Sequence, residues 1–125
     1  ALNLADSCYS GMFRDCKSLA KAPELPATET SFMCYSGMFR NCESLVKAPV
    51  LPALHLAYYC YSSMFRSCKN LSEVTMLATG NVQSLTIDYW LEDTAKSGTV
   101  YKNPDLQTNL GQYVPDGWEI KDYNN

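Results

Sequence analysis

Cys34-Tyr35-Ser36-Gly37-Met38-Phe39-Arg40 has two relatives within the same chain. The stretch stands earlier as Cys8 to Arg14 and later as Cys60 to Arg66, where Ser63 replaces glycine. Each copy is displaced by 26 residues from the last. The six cysteines, at positions 8, 16, 34, 42, 60 and 68, form two sets with that step. Leu19, Leu45 and Leu71 keep it, as do Pro23/Pro49 and Pro26/Pro52. Self-similarity at a fixed period of this size marks a repeat architecture, in which each unit buries its apolar face only against its neighbours.

The step continues in weaker form. Adding 26 to Met64-Phe65 gives Trp90-Leu91, and adding 26 to Val74 gives Val100. Ile87 to Leu91 and Thr99-Val100-Tyr101 therefore read as a degenerate fourth unit. A polar stretch near 103–112 and a last segment, Gly117-Trp118-Glu119-Ile120, follow it. Terminal repeats are atypical because they cover an open core end. The chain accordingly divides into three regular units over 1–77 and a degenerate unit with a C-terminal cap over 78–125. Ala1 aligns near Ala27, so the first unit lacks its preceding strand. The expectation is a parent protein that continues upstream.

Each unit has two halves. From about Thr30 to Arg40, Cys34 and Met38 stand four apart, which predicts a short helix with both on one face. The second half, Ser44 to Pro52, carries two prolines, which excludes a central antiparallel strand. It suits a short strand in a parallel stack, with Leu45, Ala48 and Leu51 inward and Lys47 and Pro49 outward. Phe13, Phe39 and Phe65 should stack as a spine beside Leu19, Leu45 and Leu71. The expected fold is an α/β repeat: a short right-handed leucine-rich-repeat solenoid of parallel short strands and short helices, closed by a C-terminal cap.

The unit Cys-Tyr-x-x-Met-Phe-x-x-Cys-x-x-Leu-x-x-Ala-Pro-x-Leu-Pro-Ala resembles the leucine-rich repeats of BspA-like surface proteins of gut Bacteroides. An aromatic residue, then Cys and Leu, marks each coil of that family. Here the match is Phe13, Cys16 and Leu19; Phe39, Cys42 and Leu45; and Phe65, Cys68 and Leu71. Trp90-Leu91, Ser97 to Val100 and Val114 to Trp118 are similar to that subgroup's ending. The chain departs from the pattern at Leu54-His55-Leu56 and at Glu73-Val74-Thr75-Met76, which replaces Lys-Ala-Pro. The resemblance implies a secreted or lipid-anchored cell-surface module involved in adhesion, with no shared catalytic or ligand residues to carry over. Similar repeats in gut-phage particle proteins keep a phage origin open.

The cysteines admit three readings. Columns of three (8, 34, 60 and 16, 42, 68) leave one thiol over if paired within a column. A Cys8–Cys16 bridge needs the helix to end early, since eight helical residues span about 12 Å and a disulfide needs Cα atoms within about 7 Å. The spacing lacks the short CxxC pairs of a zinc site. Buried thiols are the plainest reading: Cys packs as a small hydrophobe, and the column at Cys16, Cys42 and Cys68 can give S–H bonds to turn carbonyls.

Candidate ligand surfaces follow from the columns. Arg14, Arg40 and Arg66 follow the Phe spine, with Tyr9, Tyr35 and Tyr61 as a second column nearby. Such a stripe suits anionic glycans or carboxylates, or the arginines simply stack on tyrosine and meet Asp15 and Glu43. On the strand face Lys21 and Lys47 are followed by Glu73, and Pro23 and Pro49 by Thr75, where the repeats disagree. In the cap, Tyr89, Trp90, Tyr101, Tyr113, Trp118 and Tyr123 form an aromatic group, read first as a core seal and second as a sugar platform.

Composition bounds the function. The chain has 125 residues, 46% hydrophobic and 18% charged, with a net charge of −3. That is one ordered domain. It has no basic excess for nucleic acid and no apolar run long enough to span a bilayer. Membrane association would come only through an upstream lipid anchor. The sole histidine, His55, lies between leucines, and no Ser/His/Asp set, phosphate loop or cofactor motif is present. The expectation is a non-catalytic, cofactor-free module on the cell surface or secreted, binding a host or bacterial surface protein or glycan. The alternative is a structural spacer that presents an upstream domain.

Overall fold

A computed structural model of the chain describes residues 9–25, 30–80, 82 and 84–124. Backbone φ is positive at Gly11 (66°), Gly37 (62°), Ser63 (53°) and Tyr89 (58°), and again at Asp15 (64°), Asn41 (64°), Ser67 (63°) and Asp93 (60°). Both columns step by 26 and reach into the fourth unit. An α-helix needs φ near −63° at every residue, so a positive φ every fourth position forbids one. Among the described residues the short helices expected around Cys34–Met38 and its equivalents are instead rows of consecutive turns.

Hydrogen bonding explains why these rows stack. Within a row every second amide bonds three residues back, as in Met38 N to Tyr35 O (3.1 Å), Arg40 N to Gly37 O (3.1 Å) and Cys42 N to Phe39 O (3.1 Å). The intervening amides reach the next row. Tyr35 N donates to Cys60 O (3.0 Å), Gly37 N to Ser62 O (2.9 Å), Phe39 N to Met64 O (2.9 Å) and Asn41 N to Arg66 O (3.0 Å). The same rungs run from Tyr9, Gly11, Phe13 and Asp15 into the second row, and from Tyr61, Ser63, Phe65 and Ser67 into the fourth. Buried backbone groups must be paired, and this ladder pairs them without a helix. Ser10 and Ser36 add side-chain rungs, with their hydroxyls donating to the carbonyls of Ser36 and Ser62.

Each row turns two residues in and two out. Cys34, Tyr35, Met38, Phe39 and Cys42 are buried, while Ser36, Gly37, Arg40 and Asn41 are half-buried. In register, the inward rings stack. Phe13 and Phe39 lie 5.5 Å apart between centroids at 7°, and Phe39 and Phe65 lie 5.6 Å apart at 2°. Tyr9, Tyr35 and Tyr61 form a parallel second stack at 5.8 and 6.1 Å. The expected Phe spine is present, and full burial of each ring contributes roughly 1.5–3 kcal/mol. Leu45 and Leu71 are fully buried beside it, and Leu19 is partly buried against it.

Opposite the rows lies a parallel sheet: β1 (Glu73–Met76), β2 (Gly98–Lys102) and β3 (Trp118–Asp122), in that order. Val74 pairs with Val100, a step of 26, and Val100 with Ile120, a shorter step of 20. The preceding unit pairs only at isolated points, Lys47 with Glu73 and Leu51 with Met76. Ala48 N donates to Glu73 O and Leu51 N to Thr75 O, both at 2.9 Å. Pro49 between them has no N–H to give. Where Glu73-Val74-Thr75 replaces Lys-Ala-Pro, the lost amide returns with two β-branched residues, and a continuous strand forms. Leu45, Ala48 and Leu51 face the core as expected; Lys47 is exposed and Pro49 half-buried.

Two tryptophans close the C-terminal side. Trp90 is fully buried and donates to Tyr113 O (2.8 Å). Trp118 is buried and donates to Ala95 O (2.7 Å). Both indole N–H groups are thus satisfied inside the protein, as buried tryptophans require.

The cysteine columns are interior features. Cys42 Sγ donates to Phe13 O (3.1 Å) and Cys68 Sγ to Phe39 O (2.9 Å), each across one row. Cys16, Cys42, Cys60 and Cys68 are thiols, and Cys34 is buried. Burial pushes the Cys60 and Cys68 thiols up to about 12 and raises that of Cys42. Cys8 lies outside the described residues, and with it any statement on a Cys8–Cys16 bridge.

Candidate functional site

Outward positions of the sheet alternate with inward ones. Glu73 and Thr75 on β1, Thr99 and Tyr101 on β2, and Glu119 and Lys121 on β3 therefore share its outer face. Register arranges them as two lines. One runs Lys47, Glu73, Thr99, Glu119; the other runs Thr75, Tyr101, Lys121. Along this face lies a groove of about 730 Å³, lined by Lys47 and Glu73 of the first line, by Thr75, Tyr101 and Lys121 of the second and, from beyond β3, by Tyr123 and Asn124. That volume falls in the range of small-ligand sites.

The charges of this face are paired with one another. Lys47 Nζ lies 3.2 Å from Glu73 Oε2, and Lys121 Nζ lies 3.2 Å from Glu119 Oε2. At the strand ends, one position beyond the Tyr101–Lys121 pair, Asp122 Oδ1, which also borders the groove, meets Lys102 Nζ at 2.7 Å. The Lys47 side chain is 70% exposed and that of Glu73 37%. Such a pair contributes at most about 1 kcal/mol to stability, so its use is to set the local charge pattern rather than to hold the fold. Lys21 is exposed and outside the groove.

The arginine column lies on the turn rows, away from the groove. Arg14 is exposed and Arg40 half-buried, and neither forms an ion pair among the described residues. Arg66 stacks over the Tyr89 ring (5.4 Å) and pairs with Glu92 (3.0 Å). Asp15 instead accepts a bond from Asn41 Nδ2 (2.7 Å). So Arg66 meets fourth-unit partners, not Tyr61, Asp15 or Glu43.

The tyrosine column corrects the sequence reading. Tyr9 is exposed at the edge of the stack, but Tyr35 and Tyr61 are 2% and 0% exposed. They offer no ligand surface, because the two-in, two-out pattern of the turn row places them beside the cysteines in the core. The Tyr61 hydroxyl is buried with no hydrogen-bond partner among the described residues, and burial holds its ionisation well above the ordinary range.

Of the residues singled out in the sequence, the structure brings Lys47, Glu73, Tyr101 and Tyr123 to one groove. It leaves Lys21 and the three arginines elsewhere. Thr75, the strand-face position that follows Pro23 and Pro49, also lines it, while Val50, Lys121, Asp122 and Asn124 were missed. Nothing in the repeat foretells β3, whose step to β2 is 20 rather than 26.

His55 is exposed. Among the described residues no cluster of three or more His, Cys, Asp or Glu side chains is placed to hold a metal ion, and no helix is long and apolar enough to cross a membrane. No protein-family model matches the sequence, and neither curated proteins nor solved structures yield a match.

Proposed function

We propose that this chain is a non-catalytic, surface-displayed or secreted binding module, built as a short leucine-rich-repeat-type solenoid of the BspA-like kind. The 26-residue ladder and the in-register parallel pairing of Glu73 with Thr99 support the architectural part. One observation carries the functional part. The groove lies where the repeats disagree, at Lys47/Glu73 and against the cap, while the strictly repeated Cys, Tyr, Met and Phe of the second and third units are packed inside. Repetition follows from stacking; a pocket assembled mostly from non-repeated residues has no such cause. Recognition of a surface protein or glycan is assigned to that groove.

A photo-reactive side chain in place of Tyr101, in the full chain, tests this on intact cells and on arrays of extracellular proteins and glycans. Capture should occur from position 101. Replacing Arg14, Arg40 and Arg66 together should leave binding and melting temperature unchanged, apart from the loss of the Arg66–Glu92 pair. If the arginine variant loses binding while groove variants keep it, the recognition surface is the turn-row face instead. The spacer reading draws on one observation, the mutual pairing of the groove's charges. No capture by any probe would favour it.

A further inference from the structure

We infer that the groove takes a short neutral oligosaccharide rather than the face of a protein. This rests on the binding reading above and names the ligand class for the same site. Four in-register positions from Lys47 to Glu119 cover three inter-strand steps, roughly 14 Å at about 4.8 Å each, and five residues of strand add about 16 Å in the other direction. The outer face is therefore roughly 200 Å². A stable protein partner buries about 800 Å² on each side. The face is several-fold too small for that, while a groove of about 730 Å³ fits a di- or trisaccharide.

Lys47 is matched by Glu73, Lys121 by Glu119 and Asp122 by Lys102. A sulfated or sialylated ligand would have to break these pairs to gain its own, since both lysines among the groove's described residues are paired. A neutral polyol needs only donors and acceptors, and paired ammonium and carboxylate groups still supply both to it.

Tyr101 stands at the centre of the Thr75–Tyr101–Lys121 line, and Tyr123 joins it in the lining. A half-buried tyrosine offers an apolar ring with a polar tip. The C–H face of a pyranose packs on such a ring while its hydroxyls reach the polar residues around it. Thr75, Glu73 and Lys121 stand at those positions.

The test is chemical-shift perturbation on the full isotope-labelled chain with neutral trisaccharides of glucose, mannose, galactose and N-acetylglucosamine. Sialylated and sulfated trisaccharides and a mixed library of neutral tripeptides are the comparison arms. At least one neutral sugar should give saturable shifts at Thr75, Tyr101 and Lys121. Its affinity should be unchanged between about 50 and 500 mM salt, since no ion pair is formed. Tyr101→Ala should weaken it about tenfold or more, and Tyr101→Trp should retain it; melting curves confirm that both variants fold. Binding confined to the acidic sugars with steep salt dependence overturns the inference, as does binding confined to tripeptides or to none of the probes. Capture of a protein through position 101 without any sugar response would leave the proposed function standing and remove this ligand class alone.

Discussion

Trp118 lies against Gly98 so closely that a Cβ added at the glycine would stand 2.8 Å from Trp118 Cε2 and 2.6 Å from the Ser72 carbonyl oxygen. The indole covers the end of the core only because β2 begins with no side chain. Gly98→Ala must displace either the indole or the backbone of the preceding unit. Overpacking of this kind costs about 1–3 kcal/mol. Urea denaturation should show a loss of that size, and Trp118 fluorescence should shift toward that of an exposed indole. An unchanged midpoint would show that the cap slides without penalty.

The Phe stack predicts a gradient. Phe39 is flanked by rings on both sides and fully buried, so Phe39→Ala should cost about 3–5 kcal/mol. Phe13 is only partly buried, with its stacking partner on one side, and Phe13→Ala should cost distinctly less. Equal losses at the two positions, measured by the same denaturation, would contradict a stack that depends on neighbours.

The left-handed positions predict substitutions of opposite sign. Gly37 and Ser63 occupy the same place in successive rows, at φ 62° and 53°. A Cβ at Gly37 meets nothing within 4 Å, so only backbone conformation is at stake. Left-handed backbone disfavours a side chain by about 1 kcal/mol. Gly37→Ala should lower stability by about that amount, and Ser63→Gly should raise it by somewhat less. The serine replacement also tests whether its own side chain contributes anything.

Tyr61→Phe should be neutral or stabilising. A buried hydroxyl without a partner costs about 1–3 kcal/mol of desolvation, and the ring stack with Tyr35 is untouched by its removal. A loss of stability above about 1 kcal/mol would show that the hydroxyl has a role in the native state.

The thiols predict a fall in stability at alkaline pH. Cys60 and Cys68 ionise at about 12 in the folded chain against an ordinary value of 9.0. The unfolded chain therefore loses these protons first. The stabilisation is complete below about pH 9 and is lost between about 9 and 12, at roughly 1.4 kcal/mol per pH unit for each thiol. Cys68→Ala should flatten the slope of the unfolding free energy over that window. At neutral pH, iodoacetamide should label the exposed Cys16 readily, and the buried Cys42, Cys60 and Cys68 only after denaturation.

The 26-residue step, the Phe spine, the inward Leu45, Ala48 and Leu51, and the thiol-to-carbonyl bonds of Cys42 and Cys68 were all readable from residue spacing. The helix was not, and the reason is geometric. A turn row buries residues 34, 35, 38, 39 and 42, so pairs four apart share a face just as they do in a helix. Spacing alone cannot separate the two. The residues at positive φ carry the difference: Gly37, Asn41 and Asp15 are of types that tolerate it, though Ser63, Ser67, Met33, Tyr59 and Tyr89 adopt it too. Tyr35 and Tyr61 were placed outside because a phenol is half polar, and stacking in the core outweighs that. The groove was half legible. Lys47 and Glu73 stood out as a break in the pattern, but Lys121 and Asn124 reach it through a strand outside the period.

Every inter-row bond from Tyr9 N to Ser67 N reaches a carbonyl 25 positions further on, and the side chains beside it recur at 26. Adding or removing 26 residues between rows would leave each amide an equivalent carbonyl to meet. Any other length would rotate the inward pairs toward solvent and strand the rungs. Chain length in this architecture is therefore quantised. Gain or loss of one whole unit would give a longer or shorter stack with its rungs in register. The groove, built at the capped end, would pass through those changes intact, so the length of the stack can vary while the groove is kept.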